Sequence, residues 1–116
     1  MKEAVIWLTY DMGVGGDFQG IYSWLDDNEA IECGNNVAFF NYSYPEGIDT
    51  DDALAEHLKS ELESKIDFKP GNRVYIIRKS LDKKRNGGTI GRFIIGKRKA
   101  NQWEGFGTKS ENSLDE

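Results

Sequence analysis

Ala4 to Tyr10 is a continuous apolar run rich in β-branched and aromatic side chains, and such a run predicts a strand buried on both faces. It stops at Asp11. Met12 to Gly16 has no periodicity, and Asp17 is then placed to cap a helix whose Phe18, Ile21, Tyr22 and Leu25 follow the i, i+3, i+4, i+7 spacing. Ile31 to Cys33, Gly34-Asn35-Asn36 and Val37 to Tyr44 predict a second strand entered through a bulge or short hairpin, ended by Pro45-Glu46-Gly47. Asp49 or Thr50 can cap a second helix, in which Leu54, Leu58, Leu62 and Ile66 recur every four residues. Glu56, Lys59, Glu61, Glu63 and Lys65 lie on its other side. Beyond the turn Pro70-Gly71-Asn72, Arg73 to Arg78 and Ile90 to Gly96 read as two more strands joined by the polar segment Lys83 to Gly88.

The order strand, helix, strand, helix, strand, strand calls for two amphipathic helices on one face of a four- to five-stranded, mostly antiparallel sheet. That is an α+β sandwich. The ferredoxin-like order βαββαβ is satisfied if Ala30 to Cys33 pairs as a strand of its own. One domain is expected over residues 1–107, and the polar residues 108–116 are expected to be a disordered tail.

The 116 residues are enough to bury a single core without disulfides or structural metal. One cysteine, Cys33, and one histidine, His57, exclude an intrachain disulfide and a four-ligand Cys/His zinc site. No apolar run approaches the ~20 residues that span a bilayer, and no signal-peptide pattern opens the chain, so a soluble protein of the reducing cytoplasm is expected. Cys33 has no basic neighbour and reads as an inert, partly buried thiol; His57 reads as a surface residue. No Gly-x-Ser-x-Gly occurs to suggest a nucleophilic hydrolase.

The formal net charge is −5, but its distribution is uneven: residues 1–68 carry 3 Lys/Arg against 15 Asp/Glu, and residues 69–103 carry 11 against one. Such asymmetry suits a basic surface for nucleic acid or complementary association with protein. Arg78, Lys84, Arg85, Arg92, Lys97 and Arg98 are the candidate phosphate contacts, interleaved with Phe93 and Trp103, whose rings can stack on unpaired bases. The alternative is a solvated hairpin whose charges keep an edge strand soluble. The glycines at 13, 15 and 16 either cradle an anion or supply positive-φ turns between Asp11 and Asp17. Trp103 and Phe106 are expected to fold onto the sheet or to extend it across a dimer.

Several segments together resemble the small dimeric CRISPR adaptation protein, the Cas-two family, and its VapD-like relatives. They are the strand ending in Tyr10-Asp11, the helix with Trp24-Leu25, Val37 to Phe40, Leu62 to Asp67, and Asn72 to Ile77. The resemblance spans residues 4–78 and implies a ferredoxin-like protomer, a homodimer, and an Asp11 from each protomer holding Mg²⁺ as metal ligand and catalytic residue of a DNA or RNA nuclease. One or two carboxylates are the usual protein share of a Mg²⁺ site. The reading of Asp11 from its position alone is an acceptor for backbone donors in its loop. Unlike many family members, this chain has no Lys or Arg between Lys2 and Lys59. The functional expectation is therefore a nucleic-acid-associated, Cas-two-like dimer with a metal-dependent nuclease activity, or else a non-catalytic adaptor that binds another protein through its charged faces.

Overall fold

A computed structural model describes residues 1–108. Its elements are β1 (Lys2–Asp11), α1 (Phe18–Asp27), β2 (Ile31–Glu32), β3 (Val37–Tyr44), α2 (Asp51–Lys65), β4 (Arg73–Lys79) and β5 (Thr89–Ile95), with a single 3₁₀ turn at Lys83–Arg85. The strands form one sheet in the order β2-β3-β1-β4-β5, every neighbouring pair antiparallel. This is the α+β, ferredoxin-like arrangement expected from the element order, with β5 added outside β4 as a hairpin partner. The brief β2 supplies the strand that the βαββαβ order needs.

The local reasons are those written in the side chains. Asp17 caps α1, its Oδ1 accepting from the Gly20 N–H at 2.9 Å, and its Oδ2 accepts from the Asp67 N–H at 2.8 Å, tying the start of one helix to the exit of the other. Thr50 caps α2 by accepting from Ala53 N–H at 3.1 Å. Leu54, Leu58 and Leu62 of α2 are fully buried, each contributing roughly 1.5–3 kcal/mol of transfer free energy. They meet Ile6 and Leu8 of β1, Phe40 and Tyr42 of β3, and Val74 and Ile76 of β4 in one core. On α1 the buried aromatic is Trp24 rather than Tyr22, and the Trp24 Nε1–H donates to Glu61 Oε2 at 3.0 Å, which makes Glu61 a half-buried partner instead of a solvated one.

Three expectations are corrected. β1 is covered on one face only: Ile6 and Leu8 are buried, whereas Val5 and Trp7, pointing the other way, are 53% and 45% exposed. Both helices pack on the first face, and nothing among the described residues covers the second. Cys33 is exposed, because it follows the last residue of β2 on the way into the Gly34 turn. Arg78, expected at the surface, is buried, as described below. Gly13 and Gly15 take positive φ (62° and 81°), which gives the glycine loop its turn role. No helix among the described residues is long and apolar enough to cross a membrane. Residues 109–116 of the expected tail lie outside the described residues.

Candidate nucleic-acid interface

The uncovered face of the sheet follows from the period of two. Trp7, Thr9 and Asp11 of β1 stand beside Val37 and Phe39 of β3 and Arg73, Tyr75 and Ile77 of β4. Gly91 and Phe93 of β5 complete the row, by the observed registers. At its centre Trp7 and Phe39 are directly opposed and stack on each other, centroids 4.9 Å apart and planes 23° apart. A cross-strand pair stacked this way turns its ring faces toward each other and its edges outward. Such edges suit close packing against another apolar surface better than stacking on a base.

Toward β5 the chemistry changes. The Tyr75 and Phe93 rings meet edge to face at 4.7 Å, and the Arg73 and Arg98 guanidinium carbons sit 6.0 and 5.5 Å from the Phe93 centroid. Tyr75 lies across Gly91: a Cβ at that position would collide with the tyrosine hydroxyl and come within 2.8 Å of its Cζ. A glycine is therefore required under the ring. Arg73 donates through Nε and Nη2 to Asp11 Oδ2, at 3.2 and 2.8 Å. These groups border a cavity of about 320 Å³ at the end of β1 and β4.

The side-chain hydrogen bond from Arg73 is the main cause that holds the Asp11 carboxyl below the usual carboxylate range; the charges of Arg73 and Lys99 and the Gly13 N–H act in the same direction. Because the folded value is the lower one, the pair stabilises the fold above the ordinary carboxylate pKa, and its contribution fades as pH falls through the lowered value. In Arg73→Ala, an NMR titration is expected to show the Asp11 carboxyl moving back toward its ordinary value. An unchanged titration would mean that Arg73 is not what holds it.

The six basic candidates separate into two groups. Arg78 is buried and donates from Nη2 to Asp51 Oδ1 at 2.6 Å, so it faces the helix layer and is not available to a phosphate. Arg92, half-buried, pairs with Asp52 at 2.7 Å. Lys84 and Arg85 project from the turn before β5, and Lys97 and Arg98 follow its end; all four are exposed and form no ion pair with a described residue. Lys79, Lys83 and Lys99 share that condition. The seven free cations thus flank β5 in two clusters, and a seven-residue strand separates them by roughly 20 Å. The acidic residues of α1 and α2 lie in the opposite layer, so the charge asymmetry along the chain becomes an asymmetry between layers.

Arg73 and Tyr75 were not singled out as functional by the sequence, although their places alternating with the apolar Val74 and Ile76 marked them as facing away from the core. Among the described residues no three Asp, Glu, His or Cys side chains come together as a metal site. Asp11 is engaged by Arg73 and Asp17 by two backbone donors, so these two carboxylates do not fit a resident Mg²⁺. Trp103 and Phe106 are exposed, joined only by a turn in which the Phe106 N–H donates to the Trp103 carbonyl at 3.1 Å. No protein-family model matches the chain, and neither does any curated protein or solved structure.

Proposed function

We propose that the protein is a nucleic-acid-associated homodimer of Cas-two-like type, in which a second copy covers the apolar centre of the open sheet face and the cations flanking β5 meet the phosphate backbone. The observation that carries the nucleic-acid part is the set of seven exposed cations without acidic partners among the described residues, all between Lys79 and Lys99. Unpaired cations also keep an open edge from pairing with another chain, which a neutralised residue such as Arg92 beside Asp52 does less well. Their arrangement in two groups along one edge matches, in addition, an extended polyanion. The self-association part rests on Val5, Trp7 and Ile77, half-exposed apolar side chains on one contiguous face, and on the outward ring edges of the Trp7–Phe39 stack.

Fluorescence anisotropy with labelled single- and double-stranded DNA and RNA tests the reading. Affinity should fall steeply with salt, and Lys84→Ala or Lys97→Ala should each lower the log–log salt slope by roughly one and weaken all sequences alike. Salt-independent binding, or none, would remove it. In the nuclease version, Asp11 would have to leave Arg73, and a second copy would have to supply further oxygen ligands to Mg²⁺. Equal cleavage by wild type and Asp11→Asn would eliminate that version. The alternative adaptor function draws support from the acidic helix layer, which offers a basic protein partner a surface that nucleic acid would avoid.

A further inference from the structure

We propose that the corner cavity beside Asp11 is an end-recognition site, taking the terminal phosphate monoester of a single nucleic-acid strand on Arg98 and Arg73 and the adjoining base on Tyr75. The proposal rests on the nucleic-acid reading above and adds to it the part of the strand that is read.

Five observations carry it. Arg98 is laid over Phe93 and makes no hydrogen bond or ion pair with a described residue, so its donors are held by the ring yet free for a ligand. A planar guanidinium meets two oxygens of a phosphate at once, and a monoester offers a dianion with three terminal oxygens where a diester within the strand offers one charge. Arg73 adds a second guanidinium against the same ring, with Nη1 unspent after its bonds to Asp11.

Tyr75 reaches across Gly91 with the hydroxyl end of its ring, is half-buried and lines the cavity, where it can meet a base. The cavity, about 320 Å³, is of a size that holds one nucleotide and not a run of them. Finally, Asp11 closes one side with a half-exposed carboxylate. Arg73 and Lys99 offset its charge near the bound phosphate, but a strand running on past it would bring a second phosphate against an anion. A strand end meets no such repulsion.

The experiment compares a short oligoadenylate carrying a 5′-phosphate, the same strand carrying a 3′-phosphate, and the strand with hydroxyls at both ends. Adenosine 5′-monophosphate serves as competitor. At least one phosphorylated strand is expected to bind about tenfold tighter than the hydroxyl-ended one. Arg98→Ala should abolish that preference, weakening the phosphorylated strand by about tenfold more than the hydroxyl-ended one, and Gly91→Ala, which displaces Tyr75, should reduce it. Lys84→Ala should weaken all three strands equally. Displacement of the phosphorylated strand by the mononucleotide supports the same pocket chemistry and, if no end preference accompanies it, assigns the pocket to the free nucleotide. Equal binding of all three strands with no effect of the mononucleotide overturns this proposal alone, and absence of any binding overturns the nucleic-acid reading itself.

Discussion

Asp51→Ala should lower folding stability by about 3–5 kcal/mol, the range seen when one member of a buried ion pair is removed, because Arg78 is then left charged and unpaired in the core. Asp51 stands at the first turn of α2 yet is only 2% exposed. Its carboxylate accepts from Arg78 Nη2 at 2.6 Å, from the Leu81 N–H at 2.8 Å and from the Ser80 hydroxyl. Asp82 returns the contact, its Oδ1 accepting from the Asp51 N–H at 3.0 Å. The group fastens α2 to the base of the segment that bears Lys83, Lys84 and Arg85, so its loss should also weaken nucleic-acid binding. Thermal unfolding should register a drop of at least about 10 °C. The paired replacement Asp51→Leu with Arg78→Met should cost less than either single change, since no lone charge remains. A double variant as unstable as the sum of the singles would mean that the pair does not act as a unit.

The same group sets an acid limit. Burial works to raise the Asp51 pKa, but hydrogen bonds from Ser80, the Leu81 N–H and Arg78, with the Arg78 charge, outweigh it and bring the value down to about 2. A folded value below the ordinary 3.8 means that the stabilisation, on the order of 2 kcal/mol, is in full force above about pH 4 and is lost as pH falls toward 2. Denaturant midpoints measured between pH 5 and pH 2 should show that decline, and Asp51→Asn should flatten it.

Trp7→Glu, or Ile77→Glu, should convert a dimer into a monomer, with a dissociation constant raised at least about 100-fold, because a charge would be buried at the centre of the paired faces. Trp7 is 45% and Ile77 43% exposed in the protomer, so neither charge need be buried when the chain is alone. Folded stability should change by about 1 kcal/mol, in Trp7→Glu mainly through the lost Trp7–Phe39 stack. Sedimentation equilibrium reads the first effect and denaturant unfolding at low protein concentration the second. A wild-type chain that stays monomeric at all concentrations, or a variant that associates like wild type, would refute the paired-face arrangement.

The elements were legible where one physical cause dominated. The four-residue period of Leu54, Leu58, Leu62 and Ile66 and the caps at Asp17 and Thr50 are local, and the helices lie where those signals put them. The sheet face was harder to read, because Val5 and Trp7 interrupt the alternation with apolar side chains. A period count cannot distinguish a residue covered by its own helices from one left for another surface. Arg78 was misplaced for a different reason: it and Asp51 each look solvated among their neighbours in sequence, and their pairing closes across 27 positions. For the candidate site, the concentration of cations after residue 69 was visible, but which of them are neutralised was not. Arg92 meets Asp52 only because β5 lies under the start of α2.

The two ends of β5 also bear on how far the sheet can grow. On one side it finishes in a strand of two residues, and on the other the seven residues of β5 have no neighbouring strand among the described residues and leave a row of backbone donors and acceptors open. Two such edges meeting antiparallel would bring Lys97 to Lys99 of one copy against Lys83 to Arg85 of the next. Like charges at both ends oppose that register, so edge-to-edge pairing of two copies is checked at low ionic strength. The check is electrostatic rather than steric, and concentrated salt, by shortening the Debye length to a few ångströms, should release it and favour a closed edge-to-edge pair.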